Sequence, residues 1–294
     1  MIEARQITKR FGAVRAVDGV DLAIPRGEIF GIVGPDGAGK TTTLRMLIGL
    51  VDGDSGSITI GGEDVRKNPD AVRDRIGYMA QKFGLYGDLT VDENMNFYAD
   101  LFGVSLATLE PLKTKLLAMT RMAPFRERAA AKLSGGMKQK LALMCTLLHA
   151  PEVLLLDEPT NGVDPVSRRD FWLILEELVR GGLTLLVTTA YLDEAERCHR
   201  VALMHRGKLI RVGTPAELKA GTPGDCYEVE SADLRGLRAR LAGARDVLSV
   251  KPAGASLHVF LRSGATPPFD GEWKRIDPSL EDVFVSVIEG ENAA

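Results

Sequence analysis

Short apolar runs alternate with segments of helical period along the first two thirds of this chain. Residues 28–33 form an apolar run of strand type that passes straight into a glycine-rich loop, and residues 40–49 continue as a helix. Residues 153–156 and 183–188 are two more apolar runs, of the kind buried on both faces of a parallel sheet. Between them, residues 166–180 space Phe171, Leu175 and Leu178 at helical intervals. Alternation of strand and helix predicts an α/β sheet. Residues 2–9, 20–24 and 57–61 read as short β-rich runs, with turn signals at Gly53-Asp54-Ser55-Gly56 and Gly61-Gly62. They predict an antiparallel β subdomain beside the parallel core.

Residues from about 88 to 150 are mostly helical in pattern and read as an inserted helical subdomain. A linker is expected at Gly221-Thr222-Pro223-Gly224. Beyond it come a β run at 227–229, a helix near 233–242 and strands near 247–250 and 256–261, before Pro267-Pro268 breaks the pattern. A last amphipathic helix puts Leu280, Val283, Phe284, Val287 and Ile288 on one face. A chain of 294 residues has room for one large domain and one small one. The expected division is 1–220 and 225–294, the second a small α+β extension.

Composition narrows the function classes. A hydrophobic share of 45% with 26% charged residues is ordinary for a globular protein. The formal net charge of −3 offers no electrostatic reason to expect nucleic acid as a partner. Three cysteines, Cys145, Cys198 and Cys226, lack metal-type spacing and suggest a reducing compartment. The N-terminus lacks the apolar core of a signal peptide. No stretch approaches the ~18 uncharged apolar residues that span a bilayer. Any membrane role would need another chain for the membrane part.

Candidate chemistry lies in three places. Gly34-Pro35-Asp36-Gly37-Ala38-Gly39-Lys40-Thr41 fits G-x-x-x-x-G-K-[ST], a loop whose backbone N–H groups close around nucleotide phosphates. There Lys40 reaches the β- and γ-phosphates, Thr41 offers its hydroxyl to Mg²⁺, and the helix from Lys40 aims its dipole at the same anion. A dinucleotide fingerprint fails, because Gly37-Ala38-Gly39 would need glycine where Thr42 stands. Asp157 ends an apolar strand, a placement suited to Mg²⁺, and Glu158 follows it. Ser134 caps a helix with Gly135 and Gly136 behind it, leaving backbone N–H groups free for an anion.

The phosphate loop, the string Leu133-Ser134-Gly135-Gly136-Met137-Lys138-Gln139-Lys140 and the strand end Leu154-Leu155-Leu156-Asp157-Glu158-Pro159-Thr160 together resemble the ATP-binding subunits of ABC transporters. The resemblance runs from Met1 to about Leu218. It implies a P-loop NTPase core, with ATP and Mg²⁺ as ligands. It also implies that Glu158 polarises the attacking water and that Gln81 touches both Mg²⁺ and water. Phe11 occupies the place of an adenine-stacking aromatic. Asn161-Gly162-Val163-Asp164-Pro165 resembles the loop through which the two sites of a dimer communicate. Ser134, Gly135 and Gly136 would complete the ATP site of the opposite subunit, in a homodimer or with a second, non-identical ATPase. The partner implied beyond the dimer is an integral membrane permease, holding the chain peripherally on the cytoplasmic face of the inner membrane. Residues 82–90, rich in Phe83, Leu85 and Tyr86, lie where the family receives a short helix of that permease. The string Pro278-Ser279-Leu280-Glu281-Asp282-Val283-Phe284 resembles, more weakly, the tail of ABC-2 type exporter ATPases.

One residue departs from the family. Histidine usually follows the strand ending Val187-Thr188-Thr189, and position 190 is alanine. Loss of one donor to developing phosphate charge costs roughly 3–4 kcal/mol, or ~10²–10³ in rate. Slow hydrolysis at this chain's own loop is therefore expected, with ATP still bound. The resemblance favours an export ATPase over two rivals: a translation or DNA-repair ATPase, and a nucleotide-gated binding module without meaningful turnover.

Overall fold

The computed structural model describes residues 1–222, 224–241, 243–269 and 272–293, with side chains in the last helix as far as Ile288. Pro223 of the expected linker and Ala242 at the end of the expected helix lie outside the described residues. The chain divides into two compact units, Met1–Tyr191 with His199–Ile210, and Leu192–Cys198 with Arg211–Ala294.

The first unit begins with β1 (Ile2–Phe11) and β2 (Val14–Ile24), an antiparallel pair, followed by β3 (Ile29–Val33) and helix α1 (Lys40–Leu47). Next come β4 (Ser55–Ile60), β5 (Glu63–Asp64), α2 (Pro69–Arg73) and β6 (Ile76–Met79). The inserted helices are α3 (Val91–Leu101), α4 (Leu106–Met119) and α5 (Gly135–Thr146). After them run β7 (Val153–Asp157), α6 (Pro165–Arg180) and β8 (Thr184–Thr189). Helix α7 (Leu192–Ala195) belongs to the second unit, and β9 (Arg200–His205) returns to the first. β10 (Lys208–Gly213), α8 (Pro215–Ala220), β11 (Asp225–Glu230) and α9 (Leu234–Leu241) follow. The chain ends with β12 (Val247–Ala253), β13 (Ser256–Leu261), β14 (Trp273–Arg275) and α10 (Leu280–Ala293).

A six-stranded sheet of order β10-β9-β3-β8-β7-β6 forms the centre of the first unit, its pairs from β9 to β6 parallel. Every residue of β3, β7 and β8 is buried. That explains their uninterrupted apolar runs, since a parallel sheet is covered on both faces. Val153 and Leu155 join one core with Phe30, Ile32, Leu44 and Leu186, together with Ile2 and Ile7 of the antiparallel sheet. Leu154 and Leu156, also fully buried, point to the opposite face by the two-residue period of a strand. The antiparallel sheet has the order β2-β1-β4-β5. The fold expected from the sequence, α/β with a separate antiparallel sheet and inserted helices, is the one observed. β5, β6, β9, β10 and β14 carry no expectation from the sequence. The apolar part of β9 is the short run 201–204, and periodicity does not separate such a run from a piece of buried helix.

Helix starts follow their capping chemistry. Thr90 and Glu93 form a reciprocal capping box at α3, and Thr214 with Glu217 repeats it at α8. In the second unit, a four-stranded sheet of order β12-β13-β11-β14 buries Val229, Leu241, Leu257, Val259 and Leu261 in a core of its own. The buried Asp282 accepts from the Ser279 N–H at 2.9 Å and from its hydroxyl at 2.7 Å, and lies 3.1 Å from His258 Nδ1. Burial pushes this carboxyl up, but the Ser279 and His258 hydrogen bonds and the Lys251 charge hold it below its ordinary value.

The inserted helices are tied by charge. Lys113, 1% exposed, lies 3.3 Å from Asp92 and 3.4 Å from Glu110 and donates to Asn96 at 2.9 Å. Arg126 grips the same Asp92 with two hydrogen bonds of 2.9 and 2.7 Å. Burial raises the Asp92 carboxyl, and the Arg126 hydrogen bonds with the Lys113 charge more than offset it, so it titrates below its ordinary value. A lowered carboxyl contributes stability above the unfolded-state pKa and loses it as pH falls through the folded value. Asp92→Asn is expected to cost about 2–3 kcal/mol at pH 7, because it strips a buried ammonium of its main partner. The deficit should shrink below about pH 4, as read from urea unfolding of both proteins across that range.

Candidate functional site

The loop between β3 and α1 is built by close backbone approach. Gly39 sits at φ 107°, and a Cβ there would lie 2.2 Å from Ala16 O. Only glycine accommodates both the left-handed backbone and that contact. With the chain held so, Lys40 turns back over the loop, its side chain 4% exposed. Its ammonium donates to Gly34 O at 2.8 Å and Pro35 O at 3.1 Å, and lies 3.0 Å from Glu158 Oε1.

Strand register delivers the acids. β7 places Asp157, fully buried, at its C-terminal end. Thr41 Oγ1 donates to Asp157 Oδ1 at 2.9 Å, across 116 residues of chain. Thr188 Oγ1 donates to the same oxygen at 2.8 Å. Asp157 Oδ2 is buried and has no hydrogen-bond partner. A buried carboxylate oxygen left open beside a hydroxyl is an all-oxygen donor set, which fits a hard divalent cation. Glu158 adopts φ 48°, which turns the chain out of the strand. Its Oε2 accepts from Gln81 Nε2 at 3.0 Å and from Asn161 Nδ2 at 3.4 Å. Lys40, Thr41, Gln81, Asp157 and Glu158 are thus one connected cluster. Thr188 joins it without having been singled out, and Asn161 joins it although the sequence named it only as part of the loop 161–165. No signal for Thr188 exists in the sequence, since its place depends on the register of β8 against β7.

A second cluster forms around the start of α5. Ser134 Oγ accepts from the Met137 N–H at 3.3 Å, the expected cap. Gly136 packs against α6 so closely that a Cβ would lie 2.5 Å from Ser167 Cβ. Asp164 in turn caps α6 by accepting from the Ser167 N–H at 2.9 Å, and that hydrogen bond lowers its carboxyl below the ordinary range. Ser134, Gly135, Gly136 and Asp164 therefore share one patch. Among the described residues no hydrogen bond or ion pair joins this patch to residues 34–42. Phe11 is 51% exposed, with Lys9 Nζ 5.4 Å from its ring centroid. Ala190 follows β8 directly and is exposed.

Beyond Gln81, Phe83 packs on Tyr98 with ring centroids 5.1 Å apart, and Tyr86 meets Phe97 at 4.6 Å. Tyr86 nevertheless stays 48% exposed. A neighbouring cavity of about 330 Å³ is lined by Leu50, Val72, Phe83, Tyr98 and Phe102. No helix among the described residues is long and apolar enough to cross a membrane.

Known proteins share these features. The family model for ABC transporters matches residues 17–161. "Probable multidrug ABC transporter ATP-binding protein YbhF" of Escherichia coli is 45% identical over 225 residues, which is 76% of this chain and 39% of that protein. The chain therefore spans about two fifths of that relative's length. "Nod factor export ATP-binding protein I" of Paraburkholderia xenovorans is 40% identical over 243 residues, covering 82% of this chain and 80% of that protein. A solved ATP-binding subunit of an ABC transporter superposes with TM-score 0.67 at 29% identity, covering 75% of this chain and 92% of its own. A dimeric ATP-binding cassette in a post-hydrolysis state, bound to ADP and Pi, gives TM-score 0.65 at 26% identity, covering 73% and 98%. With its phosphate loop, acid pair and capped glycine helix on one scaffold, the chain belongs to the ATP-binding subunits of ABC transporters.

Proposed function

We propose that this chain binds and hydrolyses ATP to energise export of a hydrophobic or drug-like compound through a separate membrane permease. The observation that carries the reading is the separation of two incomplete clusters, one holding lysine, acids and glutamine, the other a glycine-backed helix N-terminus. In this reading residues 34–42 wrap the triphosphate, with Phe11 against adenine. Lys40 neutralises the β- and γ-phosphates, and Thr41, Asp157 and Gln81 hold Mg²⁺, which would neutralise phosphate charge. Glu158 orients and polarises the attacking water, held in reach by Gln81. Ser134, Gly135 and Gly136 seal the γ-phosphate of a second ATPase subunit, and Asp164 couples the two sites. ATP then acts as glue between two chains, and hydrolysis releases them. The relatives named for multidrug and Nod factor export support export as the direction.

The permease would dock at the aromatic seam around Phe83 and Tyr86 and hold this chain at the cytoplasmic face of the inner membrane. Residues 1–220 are the ATPase domain, with a helical subdomain at about 88–150. Residues 225–294 are a regulatory or dimer-stabilising appendage. Ala190 favours pairing with a non-identical ATPase whose own histidine is intact, so that the dimer has one slow and one fast site.

Glu158→Gln keeps the phosphate cradle and removes the water-polarising charge. Turnover should fall at least 100-fold while ATP drives the chain into a dimer on size-exclusion chromatography; unchanged turnover defeats the assignment. Ala190→His supplies the missing donor and should raise single-turnover hydrolysis at this site by about 10²–10³-fold. Fast hydrolysis by the purified chain, indifferent to that substitution, counts against a slow site. Tyr86→Glu should abolish transport in reconstituted vesicles yet leave the affinity for ATP within about twofold; lost ATP binding would mean that Tyr86 serves internal packing instead.

A further inference from the structure

The parallel register of β7 and β8 sets Thr188 directly across from Asp157. The Thr188 side chain is fully buried. Its hydroxyl lies 2.8 Å from Asp157 Oδ1 and 3.5 Å from Leu156 O. A hydroxyl carries one proton, so the shorter contact to the carboxylate takes it. The lone pairs remain, and Thr188 Oγ1 accepts the Glu158 N–H at 3.1 Å. The same N–H lies 3.1 Å from Thr188 O, so residue 188 is its partner on both counts. That N–H belongs to a residue at φ 48°, a conformation costly for any side chain other than glycine.

We propose that Thr188 is a positioning residue for both acids. With Thr41 it occupies Oδ1 of Asp157, which leaves Oδ2 as the oxygen open to a divalent cation. Its acceptor side pins the left-handed turn from which Glu158 reaches Lys40 and Gln81. A Val at this position keeps the shape and removes both hydrogen bonds at once. The Asp157 carboxylate then turns more freely about its last torsion, and the Glu158 turn loses one of its two anchors. This proposal rests on the reading of Asp157 as a metal-holding carboxylate.

The test uses the full chain and a fluorescent ATP analogue, titrated in EDTA and again in Mg²⁺. Thr188→Val should bind the analogue in EDTA as the unsubstituted chain does, and lose about tenfold of the gain in affinity that Mg²⁺ confers. Partners standing behind a metal ligand typically contribute that much. Turnover should fall about tenfold, with KM for ATP in Mg²⁺ rising in step with the lost affinity, and Thr188→Ser should restore the Mg²⁺ gain and the turnover to within about threefold. A Thr188→Val chain with an undiminished Mg²⁺ gain and turnover overturns the proposal. So does a Thr188→Ser chain as impaired as the Val variant, since the methyl and not the hydroxyl would then matter. If the Val variant does not fold, Thr188→Ala takes its place in the comparison with Ser, under the same criteria. Asp157→Asn separates the two levels. If it keeps the full Mg²⁺ gain, the metal reading falls and takes this proposal with it; if it loses the gain while Thr188→Val does not, the role of Thr188 alone is wrong.

Discussion

Asp157 is an ionisable carboxyl with no exposed surface at the end of a strand buried on both faces. A charge in such a place is costly unless hydrogen-bond donors surround it. Here the donors come from two elements of the central layer: Thr41 in the first turn of α1, and Thr188 within β8. The cluster therefore exists only while β7, β8 and β3 keep their parallel register. At the start of α1, Lys40 carries the opposite charge against Glu158, again in a mostly buried position. Loop, acids and glutamine are best regarded as one electrostatic unit, because removing any charge leaves another uncompensated in a poorly solvated place.

That unit is incomplete for phosphoryl transfer. In the proposed reading it supplies a cradle, a cation site and a base, and a second wall for the third phosphate has to come from elsewhere. The same reading assigns that wall to Ser134 and the glycines at the start of α5, which are fixed against α6 by a contact too close for any side chain at position 136. The two clusters are held by independent means, the first by strand register and the second by helix–helix packing. Two separate clusters on one chain, with no hydrogen bond or ion pair between them among the described residues, are what the proposed association of two chains requires. The aromatic seam at Phe83, Tyr86, Phe97 and Tyr98 follows in sequence from Gln81, so a partner pressing there would act close to the amide that holds Glu158.

Much of this was legible in the amino-acid order, because the determinants are local. Apolar runs without alternation told of a doubly covered sheet, and β3, β7 and β8 are that sheet's buried strands. Gly34 to Thr41 and Ser134 to Gly136 announced two anion-binding turns, since backbone freedom and capping depend on residues a few positions apart. β6, β9 and β10 escaped, as strands whose identity comes from the neighbours they pair with. Thr188 escaped for a related reason: a threonine in a β-branched strand is ordinary until register sets it opposite a buried acid.

The chain's residues by themselves therefore determined which chemical groups are present and the local turns that present them. They also determined the family, and with it a nucleotide as the ligand. Only the tertiary structure decided which oxygen of Asp157 is left open, which hydroxyl holds the other, and that lysine, glutamate and glutamine share one contact network. Those are relations between elements far apart in sequence, more than a hundred residues in the case of Thr41 and Asp157. Local pattern cannot encode a distance across a sheet, because strand pairing is settled by the packing of the whole core.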